Sequence, residues 1–190
     1  MMKKLLVPLF VLIMVAPCLG MADERDYKIV NPNSYLSQVT VQSSFKDPLE
    51  AVTWMHKHSE RLGNRVPDFE QRLNLLRLVH YEATRANLDA DLVLSVIEVE
   101  SNFNKYAVST AGAVGLMQIM PFWRRLIGGP KDSFFDEHTN LRYGCTILSY
   151  YLRVEKNNLV RALSRYNGSL GSNHYANLVA EKYQRISTRE

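Results

Sequence analysis

The chain has 190 residues, 46% of them hydrophobic, with 23 Lys and Arg against 19 Asp and Glu for a formal charge of +4. That balance excludes a disordered or collagen-like chain, and the length suits one domain with a sizeable core. Only Cys18 and Cys145 are present, so a disulfide-dense scaffold is excluded as well.

The first 22 residues, MMKKLLVPLFVLIMVAPCLGMA, place two lysines before an apolar run from Leu5 to Ala16, followed by Pro17 and small residues. This is the layout of a secretory signal peptide, too short and wrongly flanked for a membrane span. Export with cleavage after Ala22 is expected. The cut leaves 168 residues and, with Lys3 and Lys4 gone, a formal charge of +2. So weak a basic balance does not imply a nucleic-acid partner. The alternative is a bacterial lipoprotein signal read through Cys18, though Pro17 before it departs from that pattern. Cys145, at helical spacing from Leu141, Leu148 and Leu152, reads as a small buried apolar residue.

Residues 23–46 are polar and aperiodic, with "NPN" at 32–34, and read as an extended or poorly ordered lead-in to a domain over 47–190. From there the pattern is helical. Asp47 with Pro48 opens a helix that runs to Arg61 and stops at Leu62 and Gly63. Asp68 opens another to about Ala86, with Phe69, Leu73, Leu76 and His80 on one stripe. Asp89 is the N-cap of a third. Later helices are expected over 136–154, 158–166 and 173–186. No alternating strand run appears, so the fold class is mostly α, with about seven helices and short loops.

The five histidines lack metal-ligand spacing, and no serine sits in a G-x-S-x-G elbow; no metal or cofactor is expected. The "VHYEA" run reads as a helix face.

The informative stretch is "VIEVESNF", residues 96–103. Counting from Leu92 at about 100° per residue, Val93, Val96, Ile97 and Val99 form an apolar arc with Glu100 near its middle, at about 80°. Glu98 falls at about 240° on the same count, beside Asp91 and Ser95, on the arc expected to meet water. A carboxyl on a buried face has its pKa raised by desolvation, which makes Glu100 a candidate proton donor. A buried Glu paired with an arginine is the structural alternative.

The segment "ESNFNKYAVSTAGAVGLMQIMP", 100–121, followed in order by "NLRYG" at 140–144 and "ALSRYNGSLGSNHYANLVAEKY" at 162–183, resembles the soluble lytic transglycosylases, glycoside hydrolase family 23 type. The likeness covers about residues 86–185. It implies a lysozyme-like fold, and peptidoglycan glycan strands as the substrate. By the resemblance, Glu100 first protonates the oxygen between N-acetylmuramic acid and N-acetylglucosamine, then accepts a proton from the muramic C6 hydroxyl as a 1,6-anhydro ring closes. That no Asp or Glu occurs between Glu100 and Asp132 suits such a one-carboxyl scheme, since an ordinary glycosidase needs two. Ser109, Gln118, Met120 and Tyr166 are implied as the groove lining, with Tyr166 expected within reach of Glu100 and Asn167 fixing its loop.

The chain departs from the family pattern at "PFWRR", where Pro-Gly-Thr is usual, and at Arg165, where Ala is common. Phe122 and Trp123 read equally as sugar platforms or as packing, Met117 as core, and Arg124 and Arg125 as a solvated face. A monomer exported to the periplasm is expected, alone or serving an envelope-spanning secretion or conjugation complex. A hydrolase on the same fold and an inactive glycan-binding module are the rival readings.

Overall fold

The computed structural model describes residues 44–187. The leader, Cys18 and the lead-in up to residue 43 lie outside the described residues. Seven helices follow in order: α1 Pro48–Leu62, α2 Phe69–Arg85, α3 Ala90–Ser101, α4 Trp123–Ile127, α5 Glu137–Val154, α6 Leu159–Asn167 and α7 His174–Ser187. With no strand among the described residues, this is the lysozyme-like, mostly α architecture that the resemblance implies. None of the helices among the described residues is long and apolar enough to cross a membrane.

Five helices start where the sequence places a capping side chain. Asp47, Asp68, Asp89, Asp136 and Asn158 each accept a backbone N–H from the first turn that follows, offsetting donors that no helix can satisfy internally. The short α4 was not expected. Five residues give no periodicity to read, and its first turn has no side-chain cap.

The centre of the molecule is α3, buried without interruption from Leu92 to Glu98. It packs on α7 and α2, while α5 packs on α2 and α6. Against this frame, Phe69 stands outside the core with the Arg72 guanidinium over its ring at 5.4 Å, whereas Leu76 and Val79 of the same helix are fully buried. The last lead-in residues have no helix, and Phe45 stacks on His80 at 3.6 Å between ring centres.

Two carboxylates are buried here as ion pairs. Glu82, within "VHYEA", meets Arg85 at 2.5 Å, His138 at 2.9 Å and Arg142 at 3.0 Å, tying α2 to α5. The other is Glu98, and it corrects the sequence reading. The side chain is 3% exposed, not solvated. Arg61 donates to its Oε2 at 2.5 Å, while Arg65, Lys182 and Arg185 stand 3.3–3.4 Å from Oε1. The polar arc of α3 is covered by the α1 end and by α7, so it faces cations instead of water. Burial works against the charge of Glu98, but Arg61, Arg65 and Lys182 outweigh it and hold the pKa below the ordinary carboxylate value.

Glu98→Gln therefore leaves four cations gathered without their counter-charge. The expected result is a loss of about 1–3 kcal/mol, the range for stranding buried partners, seen as a lower melting temperature in a thermal scan. An unchanged melting temperature would mean that the four cations are satisfied by solvent.

Candidate functional site

Between α3 and α4 the chain runs as a loop over 102–122, closed on itself by isolated bridges Val108–Val114 and Val114–Ile119. Asn102 ends α3 in the left-handed region, φ 48°, a conformation that asparagine tolerates better than most residues. Ser101 reaches back across the turn, its hydroxyl donating to the Leu116 carbonyl at 2.8 Å.

What holds this loop is the "NLRYG" stretch of α5. The Asn140 side chain is buried and donates to the carbonyls of Val114 at 2.9 Å and Phe134 at 2.8 Å, while its oxygen accepts from Met117 N–H at 2.8 Å. One turn later on the same face, Gly144 leaves space for Met117, whose Sδ would lie 2.2 Å from any Cβ there. Met117 is fully buried, as the core reading expects. Gly115 adopts φ +79°, and a Cβ on it would meet the Phe134 carbonyl at 2.4 Å. Glycine is needed there for both reasons. Tyr143 completes the stretch by donating to Asp132 Oδ2 at 2.5 Å, which closes the turn after α4.

Glu100 projects from the last turn of α3. Tyr175, from the start of α7, donates its hydroxyl to Glu100 Oε1 at 2.7 Å. No ion pair reaches Glu100 among the described residues, unlike Glu98 and Glu82. Burial dominates and the Tyr175 bond offsets it only in part, so the carboxyl is pushed up to about 7. The structural ion-pair alternative does not hold for this glutamate.

Of the remaining candidates, Ser109, Gln118 and Met120 lie on the loop and Tyr166 is bonded to it. Gln118, at φ 50°, spends its amide on the carbonyls of Ala107 and Gly115 at 3.2 and 2.9 Å. Ser109 Oγ accepts from Ala113 N–H at 3.0 Å. Met120 is half-buried, and so is Asn167, the last residue of α6 before Gly168 turns the chain at φ 77°. Tyr166 donates to the Met117 carbonyl at 2.8 Å. Its phenol is raised well above the ordinary value, by burial first and then by the charge of Glu100. The hydrogen bond to Glu100 is made by Tyr175, while Tyr166 feels the charge of Glu100 and is bonded to the loop. Sequence reading missed Tyr175 because its bond spans 75 positions, although it lies inside the third family block.

Elsewhere Arg165, where the family commonly has Ala, pairs with Glu155 alongside Arg161. Arg124 lies over the Phe134 ring at 4.6 Å, so only Arg125 of the two is fully on the expected solvated face. Among the described residues, no three His, Cys, Asp or Glu side chains are grouped to hold a metal ion.

The family model described as the Transglycosylase SLT domain matches residues 77–186. The chain belongs to this family. Over 83 residues the chain is 39% identical to the membrane-bound lytic murein transglycosylase C of Glaesserella parasuis, covering 39% of this chain and 23% of that one. Over 113 residues it is 33% identical to the protein of the same name from Yersinia pestis, covering 51% of this chain and 32% of the other; a Yersinia pseudotuberculosis protein matches equally. The chain spans less than a third of the length of these curated relatives. The family match begins at residue 77, inside α2, ahead of the boundary near 86 read from the motifs.

Because the Tyr175 bond favours the charged form of Glu100, Tyr175→Phe should raise the carboxyl above its value of about 7. Carbon NMR of the Glu100 carboxyl across a pH titration checks this. A midpoint that stays in place would show that the phenol does not reach the carboxyl in solution.

Proposed function

We propose that this SLT domain is a lytic transglycosylase of peptidoglycan, with Glu100 as its single acid and base. The observation that carries the reading is the isolation of the Glu100 carboxyl: half-buried, free of any ion pair among the described residues, and pushed up by desolvation to about 7. Such a group holds its proton long enough to donate it and gives it up readily enough to act as base afterwards. Glu100 protonates the bridging oxygen as the bond between N-acetylmuramic acid and N-acetylglucosamine breaks. The glutamate then takes the proton of the muramic C6 hydroxyl while that oxygen attacks the anomeric carbon. A 1,6-anhydro ring forms, and no water enters the product.

The substrate supplies the nucleophile, so the protein's task is to hold the sugar in line and exclude water. Gln118, with its N–H groups committed to the backbone, has a carbonyl oxygen left for an acetamido N–H or a sugar hydroxyl. Ser109 accepts from Ala113 and keeps its own hydroxyl proton to donate. Met120 gives an apolar wall. Tyr166 and Asn167 set the far side, and Tyr175 steadies the charge that Glu100 acquires after its first transfer.

Export is part of this reading, since peptidoglycan lies outside the cytoplasmic membrane. The relatives' names call those proteins membrane-bound; for this chain we favour release after Ala22 into the periplasm. Protein sequencing of the exported form should begin at Asp23, and a lipid-bearing Cys18 would overturn it. Wall turnover or service to an envelope complex are both compatible with the activity.

Glu100→Gln keeps shape but cannot move a proton, and should lower turnover of peptidoglycan at least the roughly 10²–10⁴-fold attributed to general acid–base catalysis. Mass spectrometry of the products decides the reaction: anhydro ends mark a transglycosylase, reducing ends a hydrolase, and no fragments a binding module. With the acid form lost above about pH 7, the parent rate should fall on that side. Stability follows the same proton. The folded value stands above the ordinary 4.5, so stability is full below pH 4.5 and declines as pH rises to about 7. Glu100→Gln should melt level with the parent below pH 4.5 and higher than it above pH 7.

A further inference from the structure

At the end of the loop and the start of α4, the chain places Phe122 and Trp123 where the pattern noted above has Gly-Thr. The two rings are stacked, 5.3 Å between centres and 30° between planes. Phe122 is nevertheless 41% exposed, and Leu126, one turn further along the same side, is 58% exposed. Trp123 and Ile127 are the residues of α4 that pack inward, so the anchoring of this helix does not depend on Phe122. Trp123 and Tyr151 meet nearly at right angles, 6.3 Å between ring centres and 76° between planes. Ring contacts therefore run from the surface at Phe122 through Trp123 to Tyr151, and Trp123, Tyr151 and Tyr166 all pack against the same core.

The backbone gives the same adjacency. Tyr166 is bonded to the Met117 carbonyl, and Phe122 follows Met120 by two residues, a span of at most about 7 Å.

We propose that Phe122, backed by Trp123, is a stacking platform for a pyranose ring of the glycan strand, a saccharide site beyond the pair of sugars that react. The identity of this occupant rests on the glycan-cleaving reading above. The chemistry fits. In a β-1,4-linked N-acetylhexosamine chain the ring substituents are mostly equatorial, which leaves C–H-lined apolar faces, and such a face meets the negative face of an aromatic ring favourably. Stacking on Trp123 already fixes the Phe122 ring, so little freedom is lost when the sugar arrives. Both rings, bulky where the pattern has Gly-Thr, would lengthen the footprint of this enzyme on its strand.

The platform is tested by binding alone, in Glu100→Gln so that nothing is turned over. A short and a long oligomer of β-1,4-linked N-acetylglucosamine are titrated calorimetrically. Phe122→Ala should weaken the long oligomer roughly three- to tenfold, as one aromatic stack is worth, and leave the short one unchanged. Phe122→Tyr should restore the loss. In a parallel NMR titration the indole N–H resonance of Trp123 should shift with the long oligomer, a readout that needs no variant at Phe122. Equal weakening for both lengths, no weakening, failure of Tyr to restore, or an unmoved Trp123 resonance would overturn the platform. If the parent releases no anhydro ends yet holds the long oligomer through Phe122, the transglycosylase reading falls and the platform stands.

Discussion

One buried amide, that of Asn140, makes three hydrogen bonds on which the rest of the candidate site depends. The loop over 102–122 has almost no regular structure, so its inward-facing backbone groups have no ladder to join. Asn140 takes two of its carbonyl partners and one N–H from separate points, Val114, Phe134 and Met117, fixing them against a helix that is itself packed on α2 and α6. Tyr166 then binds the Met117 carbonyl from α6. An irregular segment thus gains the rigidity of the helices beside it.

On α3 the same physical cost has two outcomes. Glu98 and Glu100 both lose water, and desolvation is the largest influence on each. Four cations from the α1 end and from α7 stand around Glu98, so it keeps its charge. Glu100 receives one neutral phenol and keeps its proton to near neutrality. Partners, more than depth, decide which carboxylate stays charged and which holds its proton.

The legible and the hidden parts of the sequence divide on this point. Capping residues such as Asp68 and Asp136 announce helix starts because the bond they make is local. Glu100 could be singled out because its neighbours on the helix face are apolar. Glu98 could not be placed from the same wheel. A wheel shows which residues share a face and says nothing about what covers it, and the nearest of its four partners lies 33 positions away. Tyr175 was hidden for the same reason, and the short α4 because five residues carry no period. The family blocks showed that Asn140 and Gly144 belong to one pattern; their shared task, bonding and making space for Met117, became visible only when α5 was laid against the loop.

Cys145 sits on the same helix, fully buried, with its thiol pushed up by burial and by the charge of Glu82. A sulfur so placed is a packing atom, unavailable as thiolate and closed to oxidants. The wall of helices around it, held by the Glu82 pairs, acts as a shutter. A thiol-specific reagent added to the folded protein would find nothing at Cys145 until α5 parts from α2 and α6, so the rate of modification there becomes a clock for the opening of the scaffold beneath the site.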